Sequence, residues 1–479
     1  MPREPAAQAT RWSIACGAVV LAAIALRVLA ARGDLWLDEV WSLDLASRLA
    51  SPLDAYGLKH DNNHILNTMW LVLLGVSRPD WAYRLPSELA GAAAVLVSGA
   101  LVPRKNLAGR LATLLLVGSS TLLVTYSSEA RGYMLAVCAS LLSLLALEWL
   151  FAGGRLRWVA PLFWVSTVLG FVAHLSAATA WIAIALYWLA RRAPRSDRST
   201  LLREAVSLHL VPALALAAHY LVFVRQLGIG GGEEATSAQA IAAAAALTLG
   251  LPAEPAALAV TALLVVVGLF ALALFTLARE RDASWVLFGA GVTLPVIALY
   301  AMRIQHAAPR YLLISVVFFL LLLGRVAGRW IERGGLARGA CVALLLCVVA
   351  LNSLGDLELI RLGRGSYRRA VDFIVAHSEP GPITISSDHD FRNLMLLAHY
   401  APMHEARARL SYLTARDLPP EGTQWLIVHR IAGQSDAPPD QVLRRGQPYE
   451  MRLALPCGRV SGMSWYLYQR VQMENSPRR

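Results

Sequence analysis

The stretch PAALAVTALLVVVGLFALALFTLA, Pro255 to Ala278, carries no charge and ends directly on Arg279-Glu280-Arg281-Asp282. As an α-helix its roughly 24 residues would rise about 36 Å, more than the roughly 30 Å of hydrocarbon in a bilayer. Similar apolar runs lie at about 12–31, 86–102, 111–125, 132–150, 158–173, 175–190, 205–224, 283–302, 311–327 and 338–354. Together they predict a polytopic α-helical membrane protein of about eleven spans. Trp12 to Ala31 has the basic start and small-residue end of a secretory signal, but the spans that follow predict an uncleaved first helix.

Composition agrees. Of 479 residues, 57% are apolar and 16% charged, against about 45–50% and 25% in soluble domains. Lys+Arg outnumber Asp+Glu by 44 to 32, a net charge of +12. The basic residues fall in short clusters between apolar runs, so a membrane rather than a nucleic-acid partner is expected. No Walker loop, GxGxxG, heptad or internal repeat is present, which argues against a nucleotide-driven pump. Cys16, Cys138, Cys341 and Cys347 lie in apolar runs, and Cys457 stands alone in the polar C-terminal part; neither a disulfide there nor structural zinc is expected.

Cytoplasmic connectors are enriched in Lys and Arg. The clusters at Arg104-Lys105, Arg155/Arg157, Arg191-Arg192, Arg279/Arg281 and Arg329/Arg333 alternate with basic-poor connectors near 32–62, 126–131, 225–240 and 303–310. The N-terminus is therefore expected in the cytoplasm and the second set outside, together with everything after about 356. Parity makes the short stretch from His64 to Val76 an interfacial or re-entrant helix rather than a span. The expected division is a transmembrane domain over 1–355 and an extracytoplasmic α/β domain over 356–479. In the latter, helices are predicted over Ser366–Ala376 and Phe391–Tyr400, and strands over Pro382–Ser386, Trp425–His429 and Ser464–Tyr468.

Chemistry should gather where polar groups interrupt the apolar background. The first outer loop, about 32–62, holds Asp34, Asp38, Glu39, Asp44, Asp54 and Asp61, with Trp36 and Trp41 flanking the Asp38-Glu39 pair. This reads either as a solvated acidic loop with interfacial tryptophans, or as a carboxylate made more basic by partial desolvation and able to take a proton from a hydroxyl. Asn63 is expected to cap a helix beginning at His64. Arg84 and Glu88 are four apart on a span in whose first turn Pro86 sits. Glu129 and Arg131, in Tyr126-Ser-Ser-Glu-Ala-Arg-Gly-Tyr133, read as an intramembrane-edge functional pair or as a surface pair at a hairpin tip. Arg310, before Tyr311, reads as a snorkelling arginine or a phosphate clamp. His174 is expected to be a satisfied interfacial histidine, and Gly228 to Ala240 a mobile outer loop. In Asp388-His389-Asp390 an aspartate is expected to cap the following helix.

In their order, Leu37-Asp38-Glu39, Asn63-His64, Arg84-Leu85-Pro86-Ser87, Ser128-Glu129-Ala130-Arg131-x-Tyr133 and Arg310-Tyr311 resemble the GT-C membrane glycosyltransferases. Nearest in look are bacterial relatives of glycosyltransferase family 39, the dolichyl-phosphate-mannose protein mannosyltransferases, and the lipid A aminoarabinose transferases. The resemblance covers about residues 10–330. It implies a hexosyl or pentosyl transferase taking sugar from a polyprenyl-phosphate donor to a lipid, glycan or protein acceptor on the outer face of a plasma or bacterial inner membrane. By the same resemblance Asp38 is the catalytic carboxylate with Glu39 beside it and Glu129 on the loop facing it; His64, Arg84, Arg131, Tyr133, Arg310 and Tyr311 serve the substrate. No cofactor is required, a divalent cation stays open, and no metal ligand is assigned. The sequence departs from the family where His64 is followed by Ile65-Leu66 instead of Pro-Pro-Leu, and where Glu88 replaces a small residue.

Direct displacement by the acceptor hydroxyl would invert the anomeric carbon. A transporter or flippase of a lipid-linked sugar is the alternative, although paired repeats and mid-membrane helix breaks are not evident in the sequence. A non-enzymatic scaffold would leave the outer-face carboxylates without a role.

A reporter active only outside the membrane, fused after Arg479, should be active; activity of a cytoplasm-only reporter there would reverse the orientation and move the site to the other face.

Overall fold

In the computed structural model the described residues are 4–228, 235–303, 306–434 and 436–471. The helices are α1 (Glu4–Ala30), α2 (Leu37–Ser47), α3 (Ile65–Leu74), α4 (Asp80–Leu101), α5 (Leu107–Ser119), α6 (Thr121–Ser127), α7 (Tyr133–Phe151), α8 (Leu156–Ala173), α9 (Ala177–Arg192), α10 (Arg198–Val222), α11 (Ser237–Thr248), α12 (Ala256–Arg279), α13 (Ser284–Ala301), α14 (Leu313–Arg333), α15 (Gly335–Leu362), α16 (Tyr367–Ala376) and α17 (Asp390–Tyr400). Strands follow the same order: β1 (Ile383–Ser387), β2 (Leu410–Tyr412), β3 (Trp425–Ile431), β4 (Gln441–Arg444), β5 (Gln447–Leu455) and β6 (Met463–Arg470). The chain forms two compact units, one holding the chain up to Ala31 and Leu45–Leu357, the other Arg32–Asp44 and everything from Glu358.

The first unit is a helical bundle and makes the chain an integral membrane protein. Each of the eleven expected runs is helical. Among the described residues, eight helices are long and apolar enough to cross a bilayer, and nine if a bent pair counts as one span. At the centre is α14, buried along Leu313–Leu323 on all its faces. It approaches α5 so closely that a Cβ on Gly324 would lie 2.1 Å from the Thr113 hydroxyl and 2.7 Å from its Cα.

Several local expectations are corrected. The run at 111–125 is not one helix: α5 and α6 meet at Ser120 with a 58° bend, so a broken helix is present after all. A break strands carbonyls on one side and N–H groups on the other, and in hydrocarbon neither can turn to water. Buried Arg27 of α1 donates to the carbonyls of Val117 (3.2 Å) and Gly118 (3.0 Å). On the other side, the Thr121 N–H donates to Asn352 Oδ1 at 2.9 Å. Pro86 is not in a first turn, because α4 begins earlier, at Asp80. The loop expected over Gly228 to Ala240 ends earlier, since α11 begins at Ser237; Ile229 to Glu234 fall outside the described residues.

In the second unit a six-stranded sheet has the order β2-β1-β3-β6-β5-β4. Parallel pairs flank β1, with Ile383 opposite Leu410 and Ile385 opposite Trp425, while the remaining pairs are antiparallel. Tyr367, Tyr400, Trp425 and Trp465 fill its core at under 2% exposure. The cap of α17 is His389, whose ring accepts from the Arg392 N–H, and not an aspartate. Asp390 instead accepts from the Tyr412 hydroxyl (2.7 Å) and the Ala415 N–H (2.9 Å), and Asp388 holds the His429 ring at 2.8 Å. These bonds, formed with β2, β3 and the loop after β2, take both carboxylates away from the helix end.

Replacing Asn352 by Leu leaves the Thr121 N–H without its acceptor inside the bundle. Thermal unfolding in detergent should then show a loss of about 1–3 kcal/mol; an unchanged melting temperature would show that the break does not depend on this amide.

Candidate active site

In the bundle, four chain segments bring polar side chains to one place. α3 begins after His64, which serves as N-cap without a capping bond from its side chain. Asn63 is not the cap: its amide donates to the carbonyls of Ala55 and Leu58, each at 2.7 Å, and accepts from the Thr68 hydroxyl at 2.7 Å. Those three bonds pin the turn that presents His64.

The second segment joins α6 to α7. Glu129 (0% exposed) and Arg131 (3%) are buried, which removes the surface-pair reading at a hairpin tip. The Arg131 guanidinium donates to Asn62 Oδ1 at 2.8 Å and lies 5.0 Å from the Tyr133 ring centroid. The Arg131 carbonyl accepts from the Ser87 hydroxyl at 2.7 Å, and that of Ala130 from Asn67 at 2.6 Å. This loop can pack tightly only because residue 132 is glycine, where a Cβ would sit 2.3 Å from the Ala173 carbonyl oxygen and 2.9 Å from His64 Cβ.

The third segment is the turn after α8 and the fourth the start of α14. His174 lies 4.6 Å from the Tyr133 ring and stacks on His64 at 5.4 Å. Tyr133 also meets His64 at 4.7 Å and Tyr126 at 5.4 Å. Tyr311 stacks on His174 at 6.4 Å, with the Arg310 guanidinium 5.6 Å from the Tyr311 ring. His64, Arg131, Tyr133, Arg310 and Tyr311 are thus brought together. Asn62, Tyr126 and His174 join them; His174 was read as interfacial and is indeed bonded to Ser176 at 2.8 Å, yet its ring belongs to this cluster. Arg84 is wholly buried in the bundle, where it donates to the Ala31 carbonyl at 2.7 Å.

Electrostatics follow from the packing. Desolvation by burial, then the Arg131 guanidinium, then His174 and Arg310, hold His64 well below the ordinary histidine range, against a bond to the Ala173 backbone. Desolvation, Arg131 and Arg310 hold His174 down in the same way. Two guanidinium groups beside two neutral imidazoles, with the buried Glu129 carboxylate also next to Tyr126, give the cluster groups able to hold an anion such as a phosphate. His64 donates its ring N–H to Ala173, and its Nε2 is a buried acceptor with no partner among the described residues.

In the second unit Asp38 and Glu39 open α2 but differ in environment. Glu39, 1% exposed, accepts the Trp36 N–H on Oε2 at 3.1 Å, the third helical residue reaching back to cap its own helix. Asp38 is partly exposed, and its carbonyl accepts from the Ser42 hydroxyl at 2.8 Å. Glu39 therefore has a structural use that spacing alone did not reveal. Among the described residues no three His, Cys, Asp or Glu side chains gather as a metal site.

No protein-family model and no curated protein matches the chain. Solved structures do. Crystallised ArnT from Cupriavidus metallidurans bound to undecaprenyl phosphate is 12% identical, over 98% of this chain and 100% of that one, with a TM-score of 0.51. The same protein in its apo state is 13% identical over 88% and 93%, also at 0.51. The apo oligosaccharyltransferase of Archaeoglobus fulgidus is 12% identical over 81% of this chain and 64% of that one, at 0.50. The chain therefore has the fold of the GT-C membrane glycosyltransferases.

An unfolded imidazole takes up a proton below pH of about 6.5, whereas His64 in the fold does not, so stability should decline as pH falls through that value. Melting curves in detergent at neutral and mildly acidic pH should show the decline, and His64→Gln should lessen it, His174 accounting for part of the remainder; an equal decline in the variant would mean that His64 is charged in the fold.

Proposed function

We propose that this chain transfers a sugar from a polyprenyl-phosphate donor to an acceptor hydroxyl at the outer face of the membrane. The observation that carries this reading is the cluster of buried Arg131, His64 and Tyr133 with half-buried His174 and Arg310 at helix ends of a bundle with the GT-C fold. A lipid-linked phosphate has its tail in hydrocarbon and its charge at the headgroup level, the depth at which buried arginines in short connectors are useful. One of the similar structures was solved with undecaprenyl phosphate bound, in keeping with such a donor.

In this reading Asp38, the more exposed of the adjacent carboxylates, takes the proton of the acceptor hydroxyl as its oxygen attacks the anomeric carbon. The bond from that carbon to the phosphate oxygen breaks with inversion, and the polyprenyl phosphate leaves with both bonding electrons. Arg131 and Arg310 stabilise the charge that develops on it. Glu129 and Arg84 organise the surrounding backbone, and Glu39 holds the helix that carries Asp38. The N-terminus lies in the cytoplasm and the C-terminal unit outside. Flipping of the same lipid-linked sugar is the competing reading, favoured by the broken helix at Ser120, since broken helices line many transport paths.

Transfer of radiolabelled sugar from a polyprenyl-phosphate donor in purified membranes separates the two. Asp38→Asn should abolish transfer with normal insertion, and Glu39→Gln should be milder. Arg131→Lys and Arg310→Lys keep the charge but lose the two-pronged contact, so the apparent donor KM should rise about tenfold, the equivalent of 1.4 kcal/mol. Full turnover by the Asp38 variant would sink the mechanism.

A further inference from the structure

The segment that carries Asp38 belongs, by its packing, to the same compact unit as the chain's last third. Three contacts tie it there. Asp34, 8% exposed, receives the Arg368 backbone N–H on Oδ2 at 2.9 Å and the Arg368 guanidinium on Oδ1 at 2.5 Å. Arg368 is the second residue of α16, whose own N-cap, Ser366, makes no side-chain cap bond. Asp34 thus supplies the acceptor and negative charge that a helix N-terminus favours. Next to it, the Leu35 carbonyl accepts from the Tyr400 hydroxyl at 2.7 Å. Beyond Asp38, the Trp41 ring meets Phe391 edge-on at 5.0 Å.

These anchors are rooted in the core of the unit. The Arg368 guanidinium lies 5.0 Å from the Tyr400 ring, Tyr400 stacks on Tyr367 at 5.5 Å, and Tyr367 meets Trp465 of β6 at 4.9 Å. Asp38 sits between the tied residues, on the first turn of a helix only 11 residues long. Helices of that length are marginal in water without tertiary support.

We propose that Asp34, Arg368 and Tyr400 are positioning residues: the C-terminal α/β unit acts in transfer by fixing the helix that presents Asp38. This rests on the reading of Asp38 as the base. An oxygen misplaced by about 1 Å can lower a rate about a hundredfold, so loosening the anchor should act on turnover rather than on donor affinity.

Hydrogen exchange and kinetics on the full-length protein test this together. Tyr400→Phe removes only the hydroxyl and Arg368→Ala removes the guanidinium. Each should speed amide exchange over Leu37–Ser47, leave β3 and β6 protected, and lower kcat about tenfold or more with donor KM unchanged. Asp38→Asn should abolish transfer without changing that exchange. Unchanged exchange in both anchor variants would overturn the anchoring, and faster exchange with normal kcat would overturn the positioning role. Wild-type protein that transfers no sugar would instead refute the proposed reaction and leave the exchange result standing on its own.

Discussion

A helix cannot break inside hydrocarbon unless the backbone groups it strands find partners in the protein. This chain breaks one at Ser120 and closes the gap with the Arg27 guanidinium on one side and the Asn352 amide on the other. The clasp uses a charged residue in the first helix and a polar one near the end of the last long helix, so two remote parts of the sequence meet at one kink. Arg27 also reaches Ser127, at the end of α6, at 3.2 Å. Two and four residues on stand Glu129 and Arg131.

The same demand shapes the cluster above it. Arg131 is held by Asn62 and Tyr133, and its backbone by Ser87; His64 and His174 are held toward the neutral form first by desolvation and then by the two arginines beside them. The result is a set of guanidinium and imidazole groups gathered with the Asn62 amide and the buried Glu129 carboxylate. Close packing through Gly132 keeps its walls in place.

Much of this is legible in the sequence, for a physical reason: hydrocarbon tolerates few alternatives to an apolar helix, so every long run is helical, the one at 111–125 as two helices with a break between them. The charged pair Glu129 and Arg131 stood out against the same background. What escaped lies where tertiary contacts override local signals. Asn63 looks like a cap but its amide reaches back to Ala55 and Leu58. Asp390 looks like one too, yet Tyr412 and Ala415 claim its carboxylate. β5 went unread because a register shift between Met451 and Leu453 interrupts its two-residue alternation, and β4 because it is a four-residue edge strand. Asn62 and His174 carry no charge to mark them, so only the folded chain reveals that they line the cluster.

The bond between Asp34 and Arg368 spans 334 positions of the chain. A ribosome adding about 5–20 residues per second needs roughly 17–70 seconds to cover that distance. For that interval the nascent first loop has no anchor to settle on, whatever the state of the bundle behind it. Its final shape is fixed by one of the last segments to be made. A chain released before α16 is made could insert its helices and still lack the Arg368 N–H and guanidinium that Asp34 accepts from.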